Sequence, residues 1–123
     1  MLDEMLGKKI GMTQVYDDEG KVRPVTVIQI GPCTVMQVKT VENDGYTAVQ
    51  LGFGDKKRKS ATNAERGKAV KADTEPKQIL REVRVDVVNE EHEPGKELTI
   101  AELEGASVVD VQGITKGRGF AGV

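Results

Sequence analysis

Lys116 and Arg118 stand on either side of Gly117 in the stretch GITKGRGFAGV, residues 113–123, with Gly113, Gly119 and Gly122 close by. Glycine lets a backbone approach a phosphate chain closely, and alternating cations neutralise successive phosphates. Arginine adds a planar fork that grips phosphate oxygens or stacks on a base. Two further groups of cations have the same character: the pair Lys8 and Lys9, and the run Lys56, Lys57, Arg58, Lys59. Their chemistry is electrostatic binding of RNA. Taken alone, a run of charge is also what an ordinary solvated face looks like.

Reactive groups are scarce. His92 is the single histidine and lies among Glu90, Glu91 and Glu93, so it is expected in a solvated turn. Cys33 is the single cysteine, follows Pro32 in an apolar run, and is expected as a small buried hydrophobe. It cannot form an intrachain disulfide, which suits a reducing compartment. One cysteine and one histidine give no zinc-ligand spacing. No Ser-His-Asp arrangement can be built around His92. The glycine-rich stretch lacks the G-x-x-x-x-G-K-[ST] spacing, and no helix follows it to supply amide donors. The chain is therefore read as a non-enzyme without metal or cofactor.

The start of the chain, MLDEMLGKKIGMT, is too acidic for a secretory signal, and no apolar run approaches the ~20 residues of a membrane helix. The expectation is a cytoplasmic protein with no membrane partner. The formal net charge is −2, but its distribution is uneven. Residues 52–71 carry seven basic against two acidic side chains, and residues 82–110 carry nine acidic against two basic. One end of this bipolar chain suits a polyanion.

These residues need elements to hold them. At 123 residues the chain is read as one domain, 1–123. Aromatics are few and valine and isoleucine are plentiful, a mix that suits pleated surfaces. Strands are predicted over 6–16, 22–30, 33–41 and 46–53, separated by turn signals at Asp17–Gly20, Gly31-Pro32 and Glu42–Gly45. That spacing predicts a meander curling into a small barrel or a sandwich. Residues 54–74 form a polar, basic insertion in which ATNAERGKAVKA, residues 61–72, predicts a short helix. Gly67 weakens that helix by about 1 kcal/mol relative to alanine. A fifth strand is expected over 79–88, NEEHEPGKE is expected as an exposed acidic turn, and LTIAEL and SVVDVQGI supply two further extended segments.

Four blocks in order, LGKKIGMTQVY, VTVIQIGPCTVMQVKT, DGYTAVQLGF and VDVQGITKGRGFAGV, resemble large-subunit ribosomal protein three of the bacterial type. The resemblance covers most of the chain and is weakest over 54–110. It implies a mainly β fold, a small translation-protein-type barrel carrying a long loop that reaches into the ribosome. It also implies binding to large-subunit ribosomal RNA early in assembly, near the peptidyl-transferase region, among neighbouring large-subunit ribosomal proteins. By the same resemblance, Lys116, Gly117, Arg118 and Gly119 lie at the base of the extension and face RNA, while Lys8, Lys9 and Thr13 belong to the first-strand motif near RNA. In that family the chain continues after GRGFAGV into a basic extension and returns to finish the barrel. This sequence reads as an N-terminal portion with a truncated basic segment at 113–123. Its barrel is expected to be incomplete, or completed by self-association as a homodimer through exposed strand edges. The alternative is a self-associating protein-interaction module with little RNA binding, using those edges or the acidic face from Glu82 to Asp110.

Overall fold

The computed structural model describes residues 2–88 and 92–122. Strand β1 (Gly7–Tyr16) pairs antiparallel with β2 (Val22–Ile30) in a two-stranded sheet. Strands β3 (Cys33–Lys39), β4 (Ala48–Asp55), β5 (Lys77–Arg84) and β6 (Glu97–Leu98) form a second sheet in the order β5-β4-β3-β6, antiparallel throughout. Helix α1 (Val41–Asp44) is a single turn, and α2 (Asn63–Lys71) crosses from β4 toward β5.

The hairpin turn follows from Asp17, whose side chain accepts hydrogen bonds from the amides of Glu19 and Lys21 at 3.0 and 2.8 Å. Gly20, at φ +79°, supplies the left-handed residue that closes it. After β2, Gly31 at φ +69° and Pro32, which lacks an amide donor, end the pairing and turn the chain into β3. Strands β2 and β3 are consecutive but lie in different sheets for this reason.

The four-stranded sheet is covered on both faces. Val35, Val49, Leu51 and Val83 occupy one face and pack with Leu2, Cys33 and Leu98, with Met5, Leu6, Phe53 and Val85 at the margin. On the other face, Met36, Ala69 and Ala72 form a smaller cluster with Leu80, which is how α2 is seated. Small residues are needed there: a Cβ on Gly52 would lie 2.5 Å from Cγ of Lys77 and 3.0 Å from Cγ of Met36.

The mainly β reading stands, and the helix expected within 61–72 is present. The two sheets do not close into a barrel. The β1–β2 hairpin stands away from the core with Ile10, Met12 and Tyr16 each about two-thirds exposed. Glu42–Gly45 is a helical turn instead of a tight hairpin loop, with the Gly45 amide donating to the Val41 carbonyl. The fifth strand stops at Arg84. Of LTIAEL, only Leu98 joins a strand, because Ile100–Leu103 winds into a 3-10 turn. The segment SVVDVQGI forms no strand. Part of the acidic turn at 89–97, Asn89 to Glu91, lies outside the described residues.

Candidate nucleic-acid interface

The first-strand cations divide between two faces. Lys8 lies opposite Gln29 and Thr13 opposite Val25, and Val25 and Gln29 share one face of β2. Lys9 lies opposite Ile28, on the other face. A bulge between Lys9 and Gly11 is what brings Lys8 and Thr13, five residues apart, onto the same side. All three are exposed.

The run at 56–59 is only half available. Lys56 is half-buried, and its Nζ donates to both carboxylate oxygens of Glu65, at 3.2 and 3.0 Å. Arg58 makes a two-point contact with Glu75, through Nε at 2.9 Å and Nη2 at 2.7 Å. Both carboxyls sit below their ordinary range. For Glu65 the backbone amide of Thr62 is the main cause, followed by Lys56; for Glu75 it is the hydrogen bond from Arg58. Lys57 and Lys59 are exposed and have no ion-pair partner among the described residues.

Helix α2 adds cations that a reading of motifs alone passes over. Its start is fixed by Thr62, whose hydroxyl accepts from the Glu65 amide while Glu65 accepts from the Thr62 amide. Ala69 is buried and Lys68 half-buried against the sheet, so Asn63, Arg66, Gly67, Val70 and Lys71 point outward. Burial lowers the Lys68 ammonium below its usual value, and Lys39 adds to the effect. Arg66 folds back so that Nε and Nη2 donate to the Ala61 carbonyl at 3.2 and 3.0 Å. That contact holds it beside the turn carrying Lys57 and Lys59. The helical period separates Arg66 and Lys71 by about 140°, so only the packing of Ala69 and Lys68 shows that both border the outward face.

Lys116, Gly117, Arg118 and Gly119 lie in an exposed segment without regular secondary structure. No hydrogen bond ties residues 107–122 to the rest among the described residues. Ile114 and Phe120 are each 97% exposed. The structure does not bring this arm together with β1 or α2.

Cys33 is fully buried, and burial raises its thiol above the ordinary value. His92 corrects the expectation of a solvated turn: it is 2% exposed. The turn is folded onto the sheet edge, where the Gly95 amide donates to Val35 at 2.7 Å and the Val35 amide to Lys96 at 2.9 Å. Among the described residues no cluster of histidine, cysteine and carboxylates could hold a metal ion. A hollow of about 170 Å³ between α2 and the sheet is lined by Met36, Ala64, Glu65, Lys68, Lys77 and Leu80. It is smaller than the usual small-molecule site. No helix among the described residues is long and apolar enough to cross a membrane.

No protein-family model matches the chain. It is 50% identical over 123 residues to large ribosomal subunit protein uL3 of Oceanobacillus iheyensis, covering all of this chain and 58% of that protein. It is 52% identical over 119 residues to uL3 of a Picosynechococcus species and 50% identical over 118 residues to uL3 of Halalkalibacterium halodurans. The relatives matched at this level along the whole chain are of one class, proteins of the large ribosomal subunit. Within that class the chain belongs to the uL3 family, which is the family the four sequence blocks resemble. It spans less than three-fifths of the length of the relatives it matches.

Proposed function

We propose that the chain is a structural, non-catalytic component of the large ribosomal subunit in the cytoplasm. In this reading it binds large-subunit ribosomal RNA, supports early assembly near the peptidyl-transferase region, and lies beside neighbouring ribosomal proteins. The observation that carries this is the half-identity to uL3 proteins across all 123 residues. The disposition of cations supports it. Lys116 and Arg118 are exposed on an irregular arm with no acidic partner among the described residues, and Lys8 and Thr13 share one face of β1. Unpaired cations release counterions from a phosphate chain at no cost in broken ion pairs. Lys56 and Arg58 would first have to leave Glu65 and Glu75, so in this reading Lys57 and Lys59 contribute more.

The test is filter binding of the purified chain to a transcript of bacterial large-subunit RNA over a range of salt. Affinity is expected to fall steeply with salt. The double change Lys116→Glu, Arg118→Glu is expected to weaken binding by about tenfold or more, and to lower the salt slope by about 1.4–1.8. Unchanged affinity in the double variant would remove the terminal arm from the contact.

The exposed apolar side chains of the hairpin favour a second reading for the isolated chain, self-association through β1 and β2. Ile10, Met12, Tyr16 and Val22 are each at least half exposed. Apolar strands with free edges are templates for pairing.

A further inference from the structure

Gly67 sits within α2 at a place where the fold has no use for a glycine. A Cβ added there would meet nothing within 4 Å, and its backbone is not in the left-handed region. Several glycines of the folded part are explained from within, whereas Gly67 is the one inside a helix with open space around it. Gly95 would bring a Cβ to 2.5 Å from the Ala72 carbonyl oxygen, and Gly45 and Gly54 hold positive φ. Glycine inside a helix is unfavourable unless something outside the helix must come close to its backbone.

The surroundings of Gly67 say what that something is. It lies at the centre of the outward face, one helical turn from Asn63 and Lys71, with Val70 beside it and 76% exposed. Arg66 and Lys71 flank it, and the turn with Lys57 and Lys59 adjoins the Arg66 end. Two of the three nearby carboxylates are turned to other work, Glu65 bound to Lys56 and the Thr62 amide and Glu75 to Arg58, while Asp73 is exposed beyond Lys71 at the far end of the helix. A smooth centre without a side chain, with cations on its rim outnumbering the one acid outside those pairs, Asp73, matches a ribose–phosphate strand, with sugars against Gly67 and Val70 and phosphates against the cations.

We infer that the outward face of α2, centred on Gly67, docks against the ribose–phosphate backbone of large-subunit RNA. This rests on the RNA-binding reading above and adds a second contact, separate from the terminal arm. The arm would meet RNA as an irregular exposed segment, whereas α2 presents a helical surface whose fit depends on close approach.

The test uses the full chain and a transcript of bacterial large-subunit RNA, with an unrelated RNA of equal length as control. Gly67→Ala is expected to raise the thermal midpoint by about 3–6 °C, because alanine is the better helix former. It is also expected to weaken binding to the large-subunit transcript by about five- to tenfold. The double change Lys59→Glu, Lys71→Glu is expected to weaken it further with the fold intact by circular dichroism. A more stable Gly67→Ala chain that binds RNA as tightly as the wild type would overturn the inference, and the face would then belong to a protein neighbour. In that case loss of binding in Lys116→Glu, Arg118→Glu would leave the RNA-binding reading standing. A wild-type chain that binds the transcript no better than the control RNA would overturn both.

Discussion

Single side chains set the pH range over which the basic insertion keeps its shape. Glu65 closes the reciprocal cap of α2 and holds Lys56, while Glu75 holds Arg58 in a two-point contact. Both carboxyls are lowered in the folded chain. Their contribution is therefore fully present above the ordinary carboxylate range and is lost as pH falls through their folded values. The thermal midpoint of the wild type is expected to drop on going from pH 6 to pH 3. Part of that drop should be absent in Glu65→Gln, Glu75→Gln, which starts lower at pH 6. Equal pH profiles for the two proteins would show that the pairs contribute nothing, as exposed ion pairs sometimes do. The pattern Thr-x-x-Glu that builds the cap is written in the residues at 62–65. The pairing of Arg58 with Glu75, seventeen residues apart, is not, because it depends on how α2 is laid across the sheet.

At the level of elements, the acidic turn and the helix are locked together at one point. Gly95 has φ +92°, and a Cβ there would lie 2.5 Å from the carbonyl oxygen of Ala72, just past the end of α2. Gly95→Ala is expected to destabilise the chain by at least about 1–3 kcal/mol from backbone strain alone, read as a lower denaturation midpoint in urea. It should also loosen amide-exchange protection at Val35, whose amide donates to the Lys96 carbonyl next to Gly95. An unchanged midpoint would mean the turn is not seated on the sheet as described. His92 in the same turn is buried although its sequence neighbours are glutamates. Strand β2 matches its sequence reading, 22–30, because alternation and a Gly-Pro stop are local signals. Strand β6 has only two residues, and its existence depends on the edge of β3 being free to receive Leu98.

For the whole molecule, the separation of two sheets decides what is left exposed. The four-stranded sheet buries both faces, and the hairpin buries neither. With Met12, Tyr16 and Val22 at half exposure or more, the isolated chain carries apolar surface that a soluble monomer rarely displays. Light scattering behind a sizing column is expected to report a dimer at high protein concentration. Met12→Lys, Tyr16→Lys should shift it to monomer without loss of strand signal. A wild-type monomer at all concentrations would sink the self-association reading and leave the four-stranded sheet as a sufficient core.

The sequence by itself determined the mainly β character, five of the six strands, the helix at 63–71, the burial of Cys33 and the family, because each rests on local pattern or on ordered blocks of residues. Only the tertiary structure decided that the sheets stay apart, that Lys56 and Arg58 are paired while Lys57 and Lys59 have no ion pair among the described residues, and that Gly67 faces outward among cations. Those outcomes turn on contacts between residues distant along the chain, where neither alternation nor charge runs carry a signal. A helix shows its inward face only once the surface it packs against is known.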